Sequence, residues 1–158
     1  MRYSRLLGAL VLAVLVFMAG FVVGEAPEQR SHVEEEVRAL FDRYVVARNS
    51  FNSDAFLMFY LNSGQLTVIS PMQEYIGLDR LRRSIAPIFE ARTPSIEVTD
   101  VRVLPLNRNL AVVHHHYSLK TSKGLSNPAM STKVFYRTPD GWKIVAEHSS
   151  RIRDFVGR

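Results

Sequence analysis

The sequence predicts an α+β domain: helices first, then an antiparallel sheet. Two changes along the chain carry this. From Ser31 to about Ala91, apolar residues recur at spacings of three and four, the period of a helix with one buried face. From Ser95 onward, long β-type runs are joined by short turn sequences, which fits strands that pair with their neighbours. A chain of 158 residues, 47% hydrophobic and 22% charged, suits one domain with one core. Helices followed by strands, rather than the two in alternation, define the α+β class.

The elements follow in order. Residues 1–24 begin with Arg2 and Arg5 and continue as an uncharged apolar run from Leu6 to Val23. A positive flank before an apolar segment is the pattern of an export signal or a membrane anchor, so this segment is set apart from the fold. "EAPEQR", residues 25–30, is a polar linker. Ser31 with Glu34 reads as a capping box that starts a helix, and the domain is placed at 31–153 with a tail at 154–158. The first helix presents Val33, Val37, Leu40, Phe41, Tyr44 and Val45 on one stripe. Ser53 and Asp54 cap a shorter helix, "AFLMFYL". "GQLTVIS" is a strand ended by Pro71, and "EYI" is a short partner. Gly77 opens a third helix, "LDRLRRSIAPIFEA", which Pro87 should kink or end. Its Arg80, Arg82 and Arg83 read as a solvated face.

Four long strands then form a meander: "SIEVTDVRVLPL", "LAVVHHHYSLKT", "AMSTKVFYRT" and "WKIVAEHSSRIR". Asp100 and Arg102 break the alternation of the first, which predicts a bulge. Three successive histidines in the second strand are the conspicuous chemical feature. Parity puts His114 and His116 on one face and His115 on the other. In the last strand, Trp142, Ile144, Ala146 and His148 share the more apolar face, so His148 is expected to look inward. If His114 and His116 look inward as well, the three rings share one concavity, and His115 belongs to the outer face.

Several functions are excluded. With no cysteine there are no disulfides, zinc–thiolate sites or cysteine nucleophiles. The net charge of +5 is spread thinly, so no nucleic-acid partner is expected. No nucleophile elbow or phosphate-binding glycine loop occurs. Three histidines from two strands could ligate a metal, but no carboxylate clearly shares their face, because Glu147 alternates away from His148. No metal and no cofactor are expected.

Three stretches, "ALFDRYVVARNSFNSDAF", "TVISPMQEYIGLDRLRRSI" and "YRTPDGWKIVAEHSS", in this order and spacing, resemble the nuclear-transport-factor-2-like superfamily, in its SnoaL-like and ketosteroid-isomerase-like branch. The resemblance spans about Val33 to Arg151. It implies a cone: a strongly bent antiparallel sheet covered by three N-terminal helices, with a pocket inside and a homodimer through the outer sheet face. It also implies roles by position. Tyr44 in "RYVVARN" matches the tyrosine with which ketosteroid isomerases stabilise an oxyanion. Ser70 in "VISP" stands where those enzymes carry their carboxylate base, and Thr132 or Lys133 in "STKVF" stands at their second oxyanion donor. Two of three working groups are therefore replaced, and a fold of this kind does not by itself specify a reaction.

The reading that follows is an exported SnoaL-like domain on the periplasmic side of the cell envelope. It is either soluble after cleavage or tethered to the membrane through residues 6–23. It binds a small, largely apolar molecule or acts as a dimeric interaction module, without turnover. The ligand-lining candidates are Tyr44, Ser70, Trp142, Ile144 and His148, with Trp142 also suited to the core. The alternative is an isomerase, cyclase or dehydratase, with Tyr44 as oxyanion donor and His114, His116 or His148 as acid or base. A third reading is an assembly module resembling the association domain of calmodulin-dependent kinases.

Overall fold

The computed structural model describes residues 27–126 and 128–152. The expected N-terminal signal or anchor lies outside the described residues. Among those described, no helix is long and apolar enough to cross a membrane.

Helix α1 (Pro27–Ser50) is followed by the single-turn α2 (Ser53–Leu57), strands β1 (Thr67–Ile69) and β2 (Glu74–Ile76), and helix α3 (Leu78–Glu90). The rest is β: β3 (Ser95–Asn107), β4 (Leu110–Thr121), the short β5 (Gly124–Leu125), β6 (Ala129–Thr138) and β7 (Gly141–Arg151). Helix α1 is already formed at Pro27, so Ser31 lies within its first turns rather than capping it. The cap of α2 is Asn52, one residue earlier than expected, whose side chain accepts from the Ala55 amide. Pro87 stands three residues before the end of α3.

The sheet runs β2-β1-β7-β6-β4-β3, with β5 on β4. The four long strands pair as the predicted antiparallel meander, and β1 adds in parallel beside β7. β3 is an edge strand, which tolerates Pro105 because one side of it has no partner to bond. Register irregularities bend the sheet at three places, one of them near the end of β3 between Pro105 and Asn107. Another, between Val98 and Asp100, is the bulge that the broken alternation predicted. The third, in β7, leaves Val145 unpaired: Phe135 faces Ile144 while Val134 faces Ala146.

Helix α1 lies in the concavity. Val33, Val37, Phe41, Tyr44 and Ala47 form its buried stripe, packed toward Ala111, Val113, Phe135 and Ile144 of the sheet. The helix is fixed at its end by Asn49, which donates to the Ile96 carbonyl at 2.9 Å and accepts from the Ile96 amide at 2.8 Å. Both groups belong to β3, so one side chain joins the helix terminus to the edge strand. Asn49→Ala removes both bonds and leaves two strand groups short of partners. It should lower the unfolding free energy by about 2 kcal/mol in chemical denaturation; an unchanged midpoint would show that the clamp contributes nothing. Gly77 enters α3 at φ 84°, in the left-handed region, with the Gly64 backbone 3.5 Å from where a β-carbon would lie.

Candidate functional site

The burial pattern of β4 decides the question raised by its histidines. Ala111, Val113 and His115 are buried against α1, while His114 and His116 lie on the other side. The ring of His115 sits 4.7 Å from that of Phe41 on the helix. The inward expectation for His114 and His116 is thus reversed: the inner parity is the odd one, set by Ala111 and Val113, which supply the apolar contact the helix stripe needs. His114 instead meets Thr132 at 3.1 Å, and its ring lies 5.5 Å from that of His116.

His148 is also turned outward, for a different reason. Trp142 and Ile144 do face inward, as alternation from the turn predicts. The bulge at Val145 then adds one residue, so inner parity passes to Glu147 and Ser149 and His148 is exposed. The rings of His114 and His148 both flank Thr132 on the outer face, through in-register pairs. The three histidines therefore do not share the concavity with Tyr44, and among the described residues no group of three metal-ligating side chains is assembled.

The remaining expected residues separate as follows. Tyr44 is buried in the concavity. Trp142 packs at the other end, its indole donating to Glu36 at 3.4 Å under the Arg137 guanidinium, which also pairs with Glu36. Ile144 is fully buried, and its backbone bonds to Phe59 and Leu61. Ser70 organises a turn: its hydroxyl donates to the Gln73 carbonyl at 2.9 Å and accepts from the Gln73 amide at 3.1 Å. Trp142 and Ile144 are thus core groups, and Ser70 is a turn former.

What the concavity does contain is a buried polar network around Glu147, which alternation alone hides. Lys133, directly opposite it on β6, is its ion-pair partner, with only 1% of its side chain exposed. Tyr60 donates to Glu147 Oε2 at 2.7 Å, and Ser131 and Ser149 donate to Oε1 at 3.3 Å each. The single Tyr60 proton is used on the carboxylate, so in the 3.4 Å contact between the two phenols Tyr44 is the donor. The Lys133 ammonium also lies 4.8 Å from the centre of the Tyr44 ring.

The electrostatics follow. Burial alone would raise the Glu147 pKa, but the Lys133 charge and the hydrogen bonds outweigh it and hold the carboxyl below its ordinary value. Burial would likewise lower Lys133, and Glu147 outweighs it, so the ammonium is held above its usual range. Tyr44 and Tyr60 are both raised, by burial first and then by the Glu147 charge. His115 is pushed down to about 3 by burial and then by Lys133, so its ring is neutral throughout the physiological range. The arrangement is a charge-balanced pair with two neutral phenols and a neutral imidazole around it.

One clue to this network was present in the sequence. Counting outward from the turn at Pro139 and Asp140, Lys133 and Glu147 miss direct opposition by one residue. Their opposite charges imply the extra residue that the bulge supplies.

The SnoaL-like domain family matches residues 37–154. No curated protein matches the chain. Solved structures share the fold. An NTF2-like protein of unknown function from Shewanella oneidensis MR-1 is 23% identical, with a TM-score of 0.65 over 73% of this chain and 97% of its own. A nuclear transport factor 2 superfamily protein from Salmonella enterica is 17% identical, with a TM-score of 0.67 over 81% and 97%. An NTF2-like protein of unknown function from Pseudomonas putida KT2440 is 16% identical, with a TM-score of 0.67 over 80% and 91%. At such identities the likeness is one of fold. The helix-lined concavity and the family match over most of its length agree, and the chain belongs to the SnoaL-like domain family.

Proposed function

We propose that this is an exported SnoaL-like domain that binds a small, largely apolar molecule in its concavity without turning it over. The observation that carries this reading is the state of Glu147. It is the carboxylate nearest Tyr44 in the site, and its oxygens are engaged by Lys133, Tyr60, Ser131 and Ser149. A general base needs a free lone pair within reach of the proton it removes. Oε1 of Glu147 is taken by Lys133, Ser131 and Ser149 and Oε2 is bonded to Tyr60, in a carboxyl held below its ordinary pKa, so it is a poor base. His115, the inward histidine, is too weakly basic to abstract a proton near neutral pH. The Tyr44 proton is directed at Tyr60 rather than at an open position. Phe41, Tyr44, Phe56 and Phe59 form a packed aromatic cluster in the core, the kind of apolar surface such a guest would need.

Pairing of two chains through the outer sheet face belongs to the same proposal. In-register pairs place Leu104, Val112, Val134 and Ala146 in one row across four strands on that face, and Leu104 is 58% exposed. Residues 6–23 would serve as the export signal or the tether.

Native mass spectrometry of the purified chain tests both parts. The expected spectrum shows a dimer carrying a small non-peptide mass, released on denaturation. An empty chain whose melting temperature responds to no apolar compound would overturn the binding reading, and turnover lost in Tyr44→Phe with the fold intact would favour the isomerase-type alternative.

A further inference from the structure

Among the described residues, two buried side-chain nitrogens have no hydrogen-bond partner: Nη1 of Arg48 and Nδ1 of His115. Both belong to the concavity. Arg48 is one helical turn beyond Tyr44 on α1, and its charge is felt by Tyr44, Tyr60, Glu147 and Tyr117. His115 stands two residues before Tyr117 on the inner face of β4, the rings 5.7 Å apart. Buried polar groups in folded proteins are nearly always bonded, so each orphan calls for an explanation.

Arg48 is the more telling of the two. Its guanidinium rests over the rings of Phe89 at 5.2 Å and Phe51 at 6.0 Å, and Arg92 reaches the same Phe51 ring at 5.7 Å. Neither arginine forms an ion pair with a carboxylate among the described residues. Inside the concavity Lys133 and Glu147 cancel, so Arg48 adds one uncompensated positive charge. A guanidinium resting against two aromatic rings loses part of its rotational freedom before any ligand arrives, and its fork matches a carboxylate with two parallel bonds. The buried Nη1 is the donor left for a partner.

We infer that Arg48 is the anchor for the carboxylate of a small organic acid whose apolar, planar body lies against the aromatic residues beside it. This rests on the binding reading above and narrows it to a ligand class. An aromatic monocarboxylate satisfies the charge, the fork and the ring faces together. Inorganic phosphate offers the charge without the apolar body. Arg92, exposed and against the same Phe51 ring, adds a second positive charge nearby.

Phenylacetate and its uncharged counterpart phenylacetamide are the probes, titrated against the full chain while the Arg48 side-chain N–H resonances and the melting temperature are followed. Phenylacetate should shift the Arg48 resonances and raise the melting temperature, and phenylacetamide should bind about tenfold to a hundredfold more weakly, the range expected for losing a charge-assisted bond. Arg48→Met, which keeps the apolar stem over the rings, should remove that preference, and Arg48→Lys should retain part of it. If the Met variant fails to fold, the Lys variant and the resonance shifts decide. Equal binding of the two probes, undiminished phenylacetate binding by either variant, or displacement by phosphate at equal concentration would overturn the assignment while leaving an apolar pocket in place. Binding of neither probe, with no shift at Arg48, would overturn the assignment, and the binding reading would fall with it only if the chain also purified empty and its melting temperature responded to no apolar compound.

Discussion

Glu147→Gln should lower the unfolding free energy by about 3–5 kcal/mol, among the largest losses available from a single polar substitution in this chain. The reason is what remains behind. The Lys133 ammonium is almost completely buried, and its counter-charge is Glu147. Removing the negative charge leaves an ammonium in an environment that cannot hydrate it, with the Ser131 hydroxyl at 3.3 Å as its remaining bonded acceptor. Breaking a buried pair by taking one partner costs several kcal/mol, while replacing both partners by apolar groups of similar volume is often near neutral. Glu147→Leu combined with Lys133→Met should therefore recover most of the loss. Denaturant midpoints of Glu147→Leu, Lys133→Met and the double, at unchanged m-value, measure the coupling directly. A single-variant loss below about 1 kcal/mol would place the pair among exposed ion pairs and contradict its burial. The pH dependence has a definite sign. The Glu147 contribution is complete above its ordinary value of 4.5 and is lost as pH falls through its lowered folded pKa. The Lys133 contribution is complete below its ordinary value of 10.5 and is lost as pH rises through its raised folded pKa.

The second large effect belongs to His115 and falls in a different pH window. Its folded pKa of about 3 lies below the ordinary 6.5, so between these values the unfolded chain binds a proton that the folded chain refuses. Stability is then complete above pH 6.5 and declines on acidification by about 1.4 kcal/mol per pH unit, reaching a loss of roughly 2 kcal/mol by pH 5. The Glu147 loss begins only below 4.5, so the two are separable. His115→Leu keeps the volume beside Phe41, removes the titration and removes the unpartnered Nδ1. Unfolding curves from pH 7 to pH 5 should be flatter in the variant by about 2 kcal/mol, with equal or higher stability at pH 7. Identical slopes in the two proteins would mean that the imidazole takes up its proton in the folded state. The comparison also bears on function, since an imidazole neutral at pH 5 is a hydrogen-bonding wall and not a proton acceptor.

The local signals in this chain were strong, and the architecture follows from them. Apolar positions at helical spacing from Val33 to Tyr44, turn chemistry between the four long strands, and the broken alternation at Asp100 specified helices before a bent meander. Those patterns depend only on neighbours within a few residues, so they are legible from the chain alone. Tyr44 was legible as well, because its place on the buried stripe of α1 is itself periodic. The inward side of β4 was not legible. Parity divides Val112, His114 and His116 from Val113, His115 and Tyr117 without saying which set the helix will cover, and both sets mix apolar residues with histidine. Packing of Phe41 against His115 decided it. The exchange of His148 for Glu147 was decided at a still longer range, by the one-residue bulge at Val145 that brings Glu147 opposite Lys133. A bulge shifts every later residue to the opposite face, and here that shift pairs Glu147 with Lys133. Such a pairing exists only once two strands lie side by side, which is why the polar heart of the site belongs to the tertiary structure.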